Sequence, residues 1–409
     1  MNQVRLGRNP FNMDSFIFNF ILFSICFSQI ISVFRAANIY NTSYIDIVIN
    51  AVFLYIFLIM IIPRFIHLKF TYSLALMLVI TVVSLAFGVI YNDFSRYIIS
   101  DFINGISFVL LLVYIINSDI EKRDFHPLAK WLTISLSVSL LIYSLFPLIG
   151  IEILSVGKTS IMFLFPIVFY YTKKRYYLMV YNIVLILLAS KRALLLSLLI
   201  TFIIVLIVDR KNNVFIRIIL LTVFILCVIF LLFYTMTPER VFSLPPFLHD
   251  LFYKFMIVNP FSAYSAIFED YRILEIKNSL NDVKYSFGLL FSGMGPGYVY
   301  DIFTPRNELI EVGKHNSHFT PVSLLTKFGL VYVIILYMNL IRVMFKSLQA
   351  LYSKVLDDNE KIFCMYVIAA FINSFTAFTF FIDYLFILCF GILLKMSFQF
   401  KRKNSSEKF

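Results

Sequence analysis

The chain has 409 residues, of which 61% are hydrophobic and only 14% charged, with a mean hydropathy of +0.89. A soluble domain averages about half apolar and about a quarter charged, so this composition excludes an ordinary soluble globule and predicts an all-α polytopic membrane protein. The net charge of +12 is not a nucleic-acid footprint, because the cations lie in short clusters between apolar runs, where they report topology.

In chain order, MNQVRLGRNPFNMDS places Arg5 and Arg8 ahead of the first apolar run. No small-residue cleavage site follows that run, so an uncleaved first span is expected rather than a removed signal peptide. Apolar runs recur near 15–34, 44–62, 70–90, 97–116, 131–149, 157–171, 176–189, 193–208, 214–234, 320–341, 361–381 and 383–399. These give about twelve spans, most of them close to the length that crosses a bilayer. With the N-terminus inside, clusters such as Lys122, Arg123 and Lys130, Lys173, Lys174 and Arg175, and Lys401, Arg402 and Lys403 are cytoplasmic. The short outer loops carry only Arg35, Arg96, Lys158, Lys191 and Arg192, an asymmetry that fixes the orientation.

All four cysteines, Cys26, Cys227, Cys364 and Cys389, fall in apolar spans and read as small core residues. Polar residues within spans, among them Asp101, Asn104, Asn373 and Asp383, read as interhelical glue or span-end groups. The whole chain, 1–409, is expected to be one integral membrane domain, with a long outer loop at 235–319.

The run NIVLILLASKRALLLSLLITFIIVLIVDR (182–210) sets Lys191 and Arg192 in the middle of apolar sequence. A single helix over 176–208 would run roughly 50 Å, far beyond a hydrocarbon core of roughly 30 Å. Two short arms with SKR at the apex are expected instead, recessed into the outer half of the membrane. The cations then either snorkel to headgroups or line a cavity that binds an anion. A guanidinium suits bidentate phosphate binding, which favours Arg192 as the inward group and leaves Lys191 as its partner.

Within the outer loop, EDYRILEIKNSLNDVKY (269–285) has Ile273, Ile276, Leu280 and Val283 at helical spacing, predicting an amphipathic helix that lies along the membrane face or packs on the bundle. Arg272 stands near its start, where a cation is unfavourable beside the helix dipole, and the neighbouring Glu269 and Asp270 read as helix-start charges that offset it. GMGPGY follows (Gly293, Gly295, Gly297, Tyr298), and then KHNSHFTPVSLLTKFGL, with His315, Asn316, His318 and Gly329, leads into the next span.

SKRA, Arg272, GMGPGY and the His-Asn segment, in this order across one long loop, resemble the superfamily of O-antigen polymerases (Wzy) and O-antigen ligases (WaaL). The resemblance covers the topology broadly and residues 185–330 by motif. It departs from the family where Lys191 intervenes between Ser190 and Arg192, and where HNSH offers two histidines, of which the family pattern favours His315. The resemblance implies a GT-C-like membrane fold in the bacterial inner membrane, with an active site facing the periplasm. It implies metal-independent, inverting glycosyl transfer from undecaprenyl-pyrophosphate-linked oligosaccharides, with no cofactor and with a chain-length regulator as a possible partner protein. Arg192 and Arg272 would clamp the pyrophosphate and His315 would take the acceptor proton. Lys191, Glu269, Tyr298, Asn316 and His318 would contact substrate. A repeat-unit polymerase is the leading expectation; a ligase acting on lipid A-core is the alternative. A transporter or flippase is a third reading, and it predicts functional charges spread over both halves of the chain on broken helices.

Overall fold

The computed structural model describes residues 14–23, 43–61, 68, 70–92, 96–145, 161–189, 192–208, 237–243, 256, 273–284, 287–303, 308–353, 355–377 and 383–406. These residues are mainly helical. Three helices are long and apolar enough to cross a membrane: Tyr72–Tyr91, Tyr97–Asn117 and Thr320–Tyr352. Shorter apolar helices cover Asp14–Phe23, His126–Ile142, Ile161–Thr172, Tyr176–Leu188, Ala193–Val208 and Tyr384–Phe398. The expected span at 214–234 lies outside the described residues.

We label the helices α1 (Asp14–Phe23), α2 (Ser43–Ile61), α3 (Tyr72–Tyr91), α4 (Arg96–Asn117), α5 (His126–Leu145), α6 (Leu164–Thr172), α7 (Tyr176–Leu188) and α8 (Arg192–Val208). In the loop region, α9 covers 273–279 and α10 Phe287–Ser292. The C-terminal third holds α11 (Thr320–Tyr352), α12 (Asp358–Asn373) and α13 (Tyr384–Ser406). Among the described residues the all-helical expectation has one exception, an antiparallel hairpin of β1 (Tyr300–Phe303) and β2 (Leu309–Lys314). Pairing of Tyr300 with Lys314 but Ile302 with Glu311 leaves an extra residue in β2. Gly313, at φ +66°, sits in that bulge and donates its N–H to Asp301 Oδ1.

Helix α3 shows how these helices are sorted. Leu74, Met77, Thr81, Ser84 and Gly88, at alternating spacings of three and four, form its buried face, whereas Leu76, Val79, Val82, Val83 and Ile90 are exposed. The buried face is the smaller and more polar of the two, which is the distribution expected where lipid, not water, covers the outside. The Thr81 and Ser84 hydroxyls each donate to a carbonyl one turn back, so neither is left unsatisfied.

Helix α4 is central and packs on α2, α3 and α13. Small residues permit the close approaches: Gly105 of α4 faces Thr81 and Phe328, and Gly391 of α13 faces Ile115. Helix α12 packs against α6 and α8 and opens with a capping box, in which the Asp357 carboxylate accepts Glu360 N–H and the Glu360 side chain accepts Asp357 N–H. At the head of α13, Asp383 accepts two backbone N–H groups and the Tyr366 hydroxyl of α12, so this polar residue joins two helices.

The sequence at 176–208 is two helices, not one. Helix α7 ends at Leu188 with Ala189 as its cap, α8 begins at Arg192, and the two pack together. At 1.5 Å per residue the arms run about 20 Å and about 26 Å, short of a full crossing. Lys191 and the Arg192 side chain lie outside the described residues.

Candidate functional site

The loop that precedes α11 is anchored by its glycines. Helix α11 is broken at Gly329, whose φ of +82° and ψ of 172° leave the helical region. The break is filled by the chain itself: a Cβ on Gly329 would lie 1.9 Å from the Phe291 carbonyl oxygen. Met294 N–H donates to the Thr326 carbonyl at 2.7 Å, giving a partner to a group at the break. Gly293 lies against the Lys327 and Gly329 backbone, Gly295 against Gly88 of α3, and Gly297 against Ile98 of α4. All three have positive φ, and none has room for a Cβ. Asn92, just past α3, donates to the Met294 and Pro296 carbonyls and completes the seat.

Beneath this loop lies a buried charged hub. Asp101, one turn into α4, accepts Gly297 N–H at 2.9 Å, pairs with His315 Nε2 at 2.9 Å, and takes the Lys327 ammonium at 3.0 and 2.9 Å. The Lys327 side chain is 1% exposed and that of Asp101 8%. Lys327 also donates to Asn316 Oδ1 at 2.5 Å, and Ser323 donates to the same oxygen. Because the Asn316 oxygen faces donors, its amide nitrogen is the atom 3.0 Å from His315 Nδ1. His315 therefore accepts at Nδ1, while Nε2 lies between Asp101 at 2.9 Å and the Lys327 ammonium at 3.1 Å. Its ring stacks on Tyr97 at 4.1 Å. Both nitrogens are engaged, and no lone pair is open to a substrate.

Three residues later the surroundings are different. His318 has a side chain 45% exposed and directs Nδ1 at Glu275, 2.9 Å from Oε1 and 3.0 Å from Oε2. The His318 backbone N–H donates to Oε1 at 3.0 Å, and the Tyr300 hydroxyl donates to the same oxygen at 3.4 Å. Glu275 itself is only 1% exposed. Burial alone would raise its carboxyl, but the hydrogen bonds and charge of His318 outweigh it and hold Glu275 below the usual glutamate range. An ionised Glu275 fixes the proton of His318 on Nδ1. Among the described residues, Nε2 of His318 makes no hydrogen bond.

The expected apolar stripe is divided: Val283 is buried, Ile276 and Leu280 are half-buried, and Ile273 is exposed. The inward face of α9 is Glu275 and Ser279, continuing to Val283 of the following turn, while Ile273 is 62% exposed. Polar contacts decide the rotation: Glu275 meets His318, and the Ser279 carbonyl accepts the Tyr298 hydroxyl. Tyr298 is buried in a small cluster with Tyr300, Ile302, Leu274 and Met294, so its ring packs the loop and is not presented outward. The structure thus brings His315, Asn316 and His318 together at the head of α11, with Asn316 inside the hub and His318 outside it. Glu269 and Arg272 lie outside the described residues. No group of three His, Cys, Asp or Glu among the described residues is placed to hold a metal ion.

Asp101, Lys327 and Glu275 are the site residues that sequence reading did not single out as such. A signal existed for the first two, since a lone acid and a lone cation inside apolar spans ask for each other as partners. The chain matches no family model, no curated protein and no solved structure.

Proposed function

We propose that this protein is a multi-pass inner-membrane glycosyltransferase that joins oligosaccharide repeat units carried on undecaprenyl pyrophosphate, on the periplasmic side. The observation that carries the reading is the His318–Glu275 pair. It places an imidazole with one nitrogen fixed by a buried carboxylate and the other open at the outer loop, the arrangement a general base requires. His318 is preferred to His315 because His315 has both nitrogens engaged in the hub.

In the proposed step, the acceptor hydroxyl gives its proton to His318 Nε2 as its oxygen bonds to the anomeric carbon. The bond from that carbon to the pyrophosphate oxygen breaks, and its electron pair leaves with the lipid pyrophosphate. Attack from the face opposite the leaving group inverts the anomeric centre. Arg272, three positions before Glu275 in the sequence, and Arg192, at the first position of α8, suit the developing pyrophosphate charge, with Lys191 beside Arg192 and Glu269 as a sugar contact. The topology is the twelve-span arrangement with the N-terminus inside, and a chain-length regulator is the partner protein.

A transporter reading would use the broken helix as a substrate path. Here the break at Gly329 is occupied by Phe291–Gly293 of the same chain, which favours an enzyme. A ligase would use the same chemistry with a lipid A-core acceptor. The glycan profile of a deletion strain tests all three. A single repeat unit on core indicates a missing polymerase, and carrier-linked polymer with naked core a missing ligase. Unaltered glycans would overturn the proposal.

A further inference from the structure

We infer that Glu275 is a positioning residue that sets the tautomer of His318, so that Nε2 and not Nδ1 faces the acceptor; this rests on the glycosyl-transfer reading above. The argument begins with donor counting. Oε1 of Glu275 receives the His318 backbone N–H and the Tyr300 hydroxyl, and both carboxylate oxygens lie within 3.0 Å of His318 Nδ1. Only an atom set made entirely of acceptors satisfies all three donors together. The carboxylate supplies that set, and it is buried, so water does not compete for it.

An amide in the same place does not supply it. In Glu275→Gln the single oxygen is claimed by the His318 backbone N–H and Tyr300, which turns the amide NH₂ toward Nδ1. Nδ1 must then accept, and the proton moves to Nε2, the atom that has to receive the acceptor's proton. The side chain keeps its volume and the loop keeps its packing, but the imidazole presents N–H where a lone pair is needed. The same substitution logic in serine-protease triads, where the aspartate becomes asparagine, lowers turnover by about 10⁴ through the wrong tautomer.

The backbone contact adds a second role. By holding His318 N–H and the His318 ring at once, Glu275 ties α9 to the head of α11 across 43 sequence positions. A displacement of α9 is therefore felt at the base, two positions before the first residue of α11.

The test uses the full-length protein in detergent or nanodiscs, labelled with ¹⁵N-histidine. The chain has only five histidines, and His318 is identified by the resonance missing from His318→Gln. At alkaline pH, where the ring is neutral, wild-type His318 is expected to show the Nδ1–H tautomer and Glu275→Gln the Nε2–H tautomer. Complementation of the deletion strain by Glu275→Gln should lower polymer yield on the order of 10²-fold or more at normal protein level. An Nε2–H tautomer in the wild type, or an unchanged tautomer in Glu275→Gln, would overturn the inference. So would full polymer yield from a variant whose tautomer has flipped. If Glu275→Gln does not accumulate, Glu275→Asp keeps the charge and withdraws it by one methylene. A loss on the order of 10-fold to 10²-fold supports the inference there, and wild-type yield overturns it. Glycans unaltered by deletion itself would instead overturn the glycosyl-transfer reading, and the tautomer spectrum would still decide the pairing.

Discussion

His315 and His318 are three residues apart and each meets a buried carboxylate, yet they are prepared for different work. Around His315 every polar atom has a fixed partner: Asp101 on one side, Asn316 on the other, Tyr97 across the face and Lys327 closing the circuit. Around His318 the partners are gathered on one edge of the ring, and the opposite edge is left to the solvent side. A histidine with both nitrogens satisfied holds structure together; one with a single nitrogen satisfied can exchange a proton. The carboxylate alone does not make a catalytic histidine. What distinguishes the two is whether the second nitrogen has been given away.

The contrast is broken most directly by removing each histidine. His318→Ala should lower polymer formation by about 10²–10⁴-fold with little change in thermal stability, the range for loss of a general base. His315→Ala should act the other way round, with melting temperature in detergent falling first and activity lost in proportion to folded protein. Comparable melting losses from both would erase the distinction. Within the hub, Lys327→Met leaves the Asp101 carboxylate buried without its ammonium partner, and should cost about 3–5 kcal/mol in unfolding measurements. The double variant Asp101→Asn with Lys327→Met removes both charges and should be more stable than Lys327→Met alone. If it is less stable, the hub is not held by charge balance.

The glycine seat gives a smaller and well-controlled effect. Gly295 and Gly313 both have positive φ, but a Cβ on Gly295 meets Gly88 N at 2.1 Å, while one on Gly313 meets nothing within 4 Å. Gly313→Ala should cost only the backbone strain, about 1 kcal/mol, whereas Gly295→Ala should exceed it by at least as much again and loosen the loop to protease. Equal effects would mean that the loop does not rest on α3. The smallest effect is that of pH. Because the Glu275 carboxyl is held below its ordinary value of 4.5, its pairing contributes fully above that value and is lost as pH falls through the lower folded value. Melting temperature measured as pH drops below 4.5 should fall less steeply in Glu275→Gln than in wild type.

Much of this was legible in the residues, and the boundary is instructive. Arithmetic on length alone separates α7 from α8 at SKR, because bilayer thickness limits what one helix can do. The order of Gly293, Gly295, Gly297 and the His-Asn segment marks the loop, since positive φ and close backbone approach leave few other choices. Asp101 reads as interhelical glue and ties α4 to α11, but its pairing with Lys327 escaped because a contact across 226 positions leaves no trace in local spacing. Helix α9 escaped for a related reason. Its apolar periodicity marks the stripe from Ile273 to Val283, but gives no sign that tertiary hydrogen bonds through Glu275 and Ser279 bury those two polar residues beside Val283. Periodicity reports what a helix would bury alone, and this helix is placed by what the neighbouring loop needs.

The seat of the glycine loop also constrains the order in which the protein can be built. Helices α3 and α4 leave the ribosome first, carrying Asp101 with no counterion, and the loop that donates Gly297 N–H to it follows nearly two hundred residues later. Lys327 comes last of the three. Until the first turns of α11 are in place, the Asp101 charge near the N-terminal end of α4 lacks its ammonium partner and Met294 N–H has no Thr326 carbonyl to meet. A nascent chain halted before residue 320 therefore displays an uncompensated acid at the rim of its bundle, a mark by which membrane quality control can tell an unfinished copy from a finished one.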